Sequence, residues 1–177
     1  MSDRFKKGYI QVYTGDGKGK TTAAFGLTLR AVGAGLRVYI AQFLKGMPYS
    51  ELKTFEKKFA DEITFERFGT PNFIIGEPMQ EHYDVVNKGY ERVREVITSG
   101  KYDVIILDEI NITLFFKLKT VDDLLEIMDM KPDDVELIIT GRRAPQEIID
   151  RADLVTEMVP IKHYFEKGVY SRKGIED

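Results

Sequence analysis

Hydrophobic and polar positions alternate between two periods along this chain, and the switching predicts short strands separated by helices. Residues 9–13 (YIQVY) form a β-rich run that meets a glycine-rich turn directly. In residues 21–34 the small and apolar positions Ala23, Ala24, Leu27, Leu29, Ala31 and Val32 suit a helix buried on more than one side, stopped by Gly33 and Gly35. A second strand is predicted over 37–43, followed by a loop through 44–48. A helix over 51–59 then leads to a strand over 63–68. Residues 69–78 are punctuated by Gly and Pro yet carry Phe73, Ile74 and Ile75 in a row.

Met79, Tyr83, Val86, Tyr90, Val93 and Ile97 recur at spacings of four and three, the stripe of a long amphipathic helix ending near Gly100. Residues 104–107 (VIIL) are continuously apolar, as expected of a central strand covered on both faces. A helix over 121–130 with Thr120 as N-cap, a strand over 136–140, a helix over 145–151 and a strand over 154–158 complete the alternation. The polar segment 162–177 reads as a mobile tail. Strands alternating with helices over the whole length predict an α/β fold, a doubly wound, mostly parallel sheet with helices on both faces.

At 177 residues the chain suits a single domain, 1–177, with one substantial core. A net charge of -3 creates no overall basic field, so nucleic acid is not demanded as a partner. With 0 cysteines, thiolate metal sites, disulfides and cysteine nucleophiles are excluded. The first seven residues lack the apolar core of a signal peptide, and no apolar run approaches the roughly 20 residues of a membrane span. A soluble, cytoplasmic protein without a membrane partner is expected.

The glycine-rich turn carries the first chemical signal. Residues 14–22 read TGDGKGKTT, a variant of G-x-x-x-x-G-K-[ST] in which Thr14 takes the opening glycine position. Lying between strand and helix, such a turn lets the main-chain N–H groups of Gly15, Asp16, Gly17, Lys18, Gly19, Lys20, Thr21 and Thr22 converge on phosphate oxygens. Lys20 can reach the outer phosphates and the Thr21 hydroxyl can ligate Mg²⁺. ATP is the expected ligand. Asp108 and Glu109, directly after VIIL, bring carboxylates to the carboxyl edge of the sheet, where one can hold Mg²⁺ while the other caps the following helix. Arg142, in TGRRAP at 140–145, stands at another strand end; it either clamps a phosphate or is a solvated residue at a helix start. His82, on the polar flank of the long helix, and His163 belong to no metal-ligand pattern, and surface roles are expected of both, with contact to a bound ligand left open for His163 alone.

The ordered set TGDGKGKTTAAFG (14–26), RAVGAG (30–35), QFLKG (42–46), DEIN (108–111), TGRRAP (140–145), ADLVTEM (152–158), Lys162-His163 and the closing KGIED resembles the ATP:corrinoid adenosyltransferases of cobalamin biosynthesis. The resemblance implies a P-loop, RecA-like sheet and transfer of the 5′-deoxyadenosyl group of ATP to the Co(I) of a reduced corrinoid, with release of triphosphate. It implies a nucleotide lying reversed in the loop, its γ-phosphate deepest, and Mg²⁺ held by Thr21 and Glu109. An electron-donor protein such as a reduced flavoprotein is implied, and a homodimer is compatible with it. In such enzymes aromatic residues before the long helix displace the corrinoid's lower axial ligand. Phe73 falls at one such position, while Ile75 stands where relatives often place tryptophan; the alternative is that residues 73–75 are ordinary core. Lys117 stands where many relatives carry glycine, and the segment ahead of Tyr9 is too short for the lid-like helix of some relatives, so corrinoid enclosure is expected to differ or to draw on a partner subunit. A P-loop kinase or NTPase acting on a small molecule would share the loop and the Asp-Glu pair but leave ADP. A nucleotide-gated binding module would turn over little.

Overall fold

The computed structural model describes residues 6–46, 50–71 and 74–176. Phe73 lies outside the described residues. Strands β1 (Ile10–Thr14), β2 (Val38–Phe43), β3 (Ile63–Phe68), β4 (Val104–Asp108), β5 (Glu136–Thr140) and β6 (Leu154–Glu157) alternate with helices α1 (Lys20–Gly33), α2 (Ser50–Lys58), α3 (Gln80–Ile97), α4 (Ile110–Phe115), α5 (Val121–Asp129) and α6 (Gln146–Arg151). The strands form one sheet in the order β3-β2-β4-β5-β1-β6, and every neighbouring pair is parallel. β5 is intercalated between β1, which feeds the glycine loop, and β4, which ends in Asp108. That order is the RecA-like one expected.

Side chains alternate across the pleat, so each strand supplies both layers. Val38, Ile40, Val104, Ile106 and Ile138 pack under α1 and α2 with Ala24, Phe25, Ala31 and Phe55. Tyr39, Ala41, Phe43, Ile105, Leu107 and Ile139 face the opposite layer, against Val86, Tyr90 and Val93 of α3, Leu124 and Ile127 of α5, and Ile148 of α6. This is why residues 104–107 read as a continuous apolar run: β4 lies between β2 and β5 with both faces covered. Each such aliphatic side chain contributes about 1.5–3 kcal/mol of burial. β6 forms the other kind of strand, an exposed edge.

The stripe on α3 docks very closely. A Cβ at Gly89 would lie 2.6 Å from Phe43 Cε1 and 2.7 Å from Phe68 Cγ, so only glycine allows the helix to sit this near the sheet. Tyr90 beside it is fully buried, and its hydroxyl pairs with Thr113 Oγ1 at 3.0 Å. α5 begins at the expected N-cap: Thr120 Oγ1 accepts from Asp123 N at 3.2 Å, and Thr120 N donates to Asp123 Oδ2 at 2.9 Å.

The sequence expectations need correction in four places. The helix expected after the Asp-Glu pair is present as α4, but Glu109, at its N-cap position, makes no side-chain capping hydrogen bond to it. His82 is buried rather than exposed, and its Nδ1 accepts the Met79 N–H at 2.9 Å, capping α3. Ile75 is 92 % exposed, which removes it from any core. The tail is held in place: it makes a 3₁₀ turn at Tyr164–Lys167, and Glu176 gathers Lys18 and Arg172, at 3.1 Å and 3.0 Å, and the Tyr164 hydroxyl. Lys117 has φ 55, the left-handed conformation that glycine adopts without strain.

Candidate active site

The glycine loop leaves the sheet as the extended backbone of β1 gives way to left-handed turns. Gly15 and Gly19 have φ 92 and 125. Cβ atoms at Gly15 and Gly17 would come within 2.5 Å and 2.6 Å of Met158 O, and Gly17 N donates to that oxygen at 2.7 Å. Thr14 needs no such freedom, since it is still strand. Its hydroxyl accepts from Ala144 N at 3.1 Å and ties the mouth of the loop to the turn after β5.

The loop closes on its own lysine. Lys20 Nζ donates to Gly15 O at 2.7 Å and Gly17 O at 2.8 Å, and burial, opposed by the nearby Glu109 carboxylate, lowers the affinity of this ammonium for its proton. Lys18 instead reaches the tail, donating to Ile175 O at 2.8 Å. Asp16 and Arg142 stand at the rim with their charged groups 3.9 Å apart, both largely exposed, and Thr22 is exposed on the first turn of α1.

Three strand ends meet around Asp108. This carboxylate is fully buried and has four donors: Thr21 Oγ1 at 2.8 Å and Thr140 Oγ1 at 2.7 Å to Oδ1, Gln42 Nε2 at 2.9 Å and Lys45 Nζ at 3.3 Å to Oδ2. Gln42 is its register partner across β2 and β4. Thr140 Oγ1 also accepts the Glu109 N–H at 2.9 Å. Glu109 turns back toward the loop because its own backbone is left-handed, φ 59, and Leu44 and Arg143 after β2 and β5 share that conformation at φ 56. Burial raises the Glu109 carboxyl above its ordinary range, with Lys45, 3.5 Å from Oε1, opposing the shift.

A cavity of about 290 Å³ runs along the loop, walled by Lys20, Thr21, Lys45, Glu109, Arg142 and Glu176, with His163 also on its lining. A second, apolar cavity of about 210 Å³ is lined by Phe43, Leu44, Ile74, Ile112 and Phe116 and shares Lys45 and Glu109 with the first. The predicted loop residues, Thr21, Asp108, Glu109 and Arg142 are therefore brought together, whereas Ile75 lines neither cavity. Gln42, Lys45 and Thr140 escaped sequence reasoning as site residues. QFLKG and TGRRAP marked their segments, but only the strand order makes the three converge.

The family model for "ATP:corrinoid adenosyltransferase BtuR/CobO/CobP" matches residues 6–176. The chain belongs to this family. It is 35 % identical over 173 residues to a corrinoid adenosyltransferase of Sinorhizobium sp., covering 97 % of this chain and 81 % of that protein. To the corrinoid adenosyltransferases of Pseudomonas aeruginosa and Escherichia coli K12 it is 30 % and 31 % identical, over 98 % and 97 % of this chain and 85 % and 86 % of those proteins. Such enzymes are alkyl-group transferases. Among solved structures, the KaiC-like protein PH0186 of Pyrococcus horikoshii OT3 is similar, with a TM-score of 0.55 at 18 % identity over 97 % of this chain and 77 % of that one, a likeness of fold. Among the described residues no helix is long and apolar enough to cross a membrane.

Proposed function

We propose that this adenosyltransferase-family chain moves the 5′-deoxyadenosyl group of ATP to the Co(I) of a reduced corrinoid and releases triphosphate. The C5′–O5′ bond breaks with its electron pair leaving on the triphosphate, and a Co–C5′ bond forms with the cobalt pair, taking Co(I) formally to Co(III). The observation that carries this reading is the shared wall: an anion-binding loop and an apolar cavity meet across Lys45 and Glu109. A charged leaving group and a carbon electrophile need that pairing of surroundings.

The metal nucleophile belongs to the substrate, so the protein's work is to hold the triphosphate in line and to neutralise it as it leaves. Main-chain donors from Gly15 to Thr22 grip the phosphates with the γ-phosphate deepest. Lys20 turns from its two carbonyls to the phosphate oxygens. Arg142 pairs with the phosphates from the rim. Mg²⁺, when bound, adds positive charge against the leaving triphosphate. The oxygens of Thr21, Asp108 and Glu109 suit it, being hard donors that already converge on one cation.

The loop that carries Phe73 and Ile75 faces the corrinoid, with Phe73 acting against its lower axial ligand and exposed Ile75 free to be covered by the ring. A reduced flavoprotein supplies the electron, in the cytoplasm, and a homodimer completes the enclosure. The test is the product of ATP with chemically reduced corrinoid: triphosphate, together with a light-sensitive absorbance change from a cobalt–carbon bond. ADP as product would assign a kinase or NTPase instead.

A further inference from the structure

The ammonium of Lys45 sits where the candidate metal ligands converge. Its Nζ is 3.1 Å from Thr21 Oγ1, 3.3 Å from Asp108 Oδ2 and 3.5 Å from Glu109 Oε1. Asp108 and Glu109 are adjacent carboxylates, the first fully buried and the second 20 % exposed, and such a pair is costly unless a cation lies close to both. Lys20 does not fill that role, since both its hydrogen bonds go to the loop's own carbonyls.

The backbone under Lys45 is fixed. Leu44 N donates to Phe68 O at 3.0 Å, a Cβ at Gly69 would fall 2.5 Å from Lys45 N, and one at Gly46 would fall 1.9 Å from Thr70 O. The segment after β2 is therefore packed directly on the segment after β3. What can move is the flexible four-carbon stem of the lysine. The phosphate cavity, whose wall Lys45 already forms, is the space open to it.

We propose that Lys45 is a resident counter-ion that keeps the metal seat closed in the nucleotide-free protein and yields it to the divalent cation arriving with the triphosphate. The inference rests on reading Thr21, Asp108 and Glu109 as that seat. Mg²⁺ draws its oxygens to about 2.0–2.1 Å, so it cannot share their centre with an ammonium 3.1–3.5 Å from each. The displaced ammonium needs a new anion, and the triphosphate in the same cavity is one. Metal alone meets a filled seat. Metal with nucleotide meets a seat whose occupant has somewhere to go, so the two ligands bind as a pair.

Lys45→Met keeps the length of the side chain and removes the charge. Wild-type and variant are titrated with MgCl₂ by calorimetry, without ATP or corrinoid, against NaCl of equal ionic strength; the variant is purified in Mg²⁺ and then stripped with EDTA, so that cation-free folding is not a precondition. The variant is expected to bind Mg²⁺ at least about tenfold more tightly than wild type, inside the roughly 5–150-fold usual for coupled ligands. Its Tm should rise with Mg²⁺ while that of wild type stays level, and unfolding on chelation reversed by Mg²⁺ would support the same conclusion. Lys45→Arg, which retains a cation, should behave as wild type. Equal Mg²⁺ affinity in wild type and Lys45→Met, or no response in the variant, would overturn the inference. Because the assay contains neither substrate, a Mg²⁺ difference seen in a protein that fails to transfer adenosyl would sink the proposed function and leave the counter-ion role standing.

Discussion

Thr140 is the hinge pin of the site, and replacing it with valine tests the whole arrangement. Valine is nearly isosteric but has no hydroxyl. The residue is fully buried, donates to Asp108 Oδ1 at 2.7 Å and accepts the Glu109 N–H at 2.9 Å. Losing a hydrogen bond to a charged acceptor costs about 1.5–3 kcal/mol, and a buried N–H left without an acceptor costs about 1–3 kcal/mol. The added methyl returns about 0.8 kcal/mol, so a net loss of about 3 kcal/mol is expected. For a chain of this size that lowers Tm by roughly 6–12 °C. Thr140→Ser keeps both hydrogen bonds and loses one methyl, and should fall by about 1 kcal/mol. Differential scanning calorimetry of the three proteins without ligand gives the answer. A Thr140→Val Tm within about 2 °C of wild type, or a serine variant as unstable as the valine one, would refute the account of how Asp108 and Glu109 are held.

Lys20→Ala should reduce turnover about 10²–10³-fold, the usual effect of removing one donor to developing negative charge, with an unchanged far-UV circular dichroism spectrum; near wild-type turnover would contradict the role given to Lys20. Glu109 has a carboxyl raised by burial above its ordinary value of 4.5, so its ionisation is harder in the folded than in the unfolded chain. Its contribution to stability is full below that value and is lost as pH rises through the raised one. In metal-free, nucleotide-free protein, Glu109→Gln should therefore melt higher than wild type at pH 7, with the gap closing below pH 4.5; a constant gap across that window would exclude the linkage. Gly89→Ala and Gly26→Ala should have opposite signs. A Cβ at Gly89 meets Phe43 and Phe68, and overpacking of about 1–3 kcal/mol outweighs the helix gain of about 1 kcal/mol, whereas Gly26 has open space and keeps the gain. Urea denaturation separates the two, and a shared sign would show that α3 can move off the sheet.

The fold was legible wherever one period ran long enough. The stripe from Met79 to Ile97 predicted α3, and residues 104–107 predicted a covered strand, because period and burial were set by the same two packed layers. The loop and the Asp-Glu pair were legible as chemistry because a phosphate cradle needs particular residues at fixed spacing. What escaped depends on contacts distant in the chain. Gln42 and Thr140 flank Asp108 only because β2 and β5 flank β4, an order that no local pattern encodes. His82 has a polar side chain on a polar flank, yet it folds back to cap its own helix. The tail's charges suggested solvation until Glu176 found Lys18, Tyr164 and Arg172.

Leu44, Glu109 and Arg143 bend their chains through a conformation that side chains adopt reluctantly, the first two directly beyond and the third three residues beyond strands that deliver the site. Each corner holds of order 1–3 kcal/mol of conformational penalty, and three of the four strained non-glycine corners among the described residues lie at the sheet's carboxyl edge. Laboratory evolution for heat tolerance alone should drift toward glycine at these corners, and its survivors would be robust proteins with poorly aimed side chains.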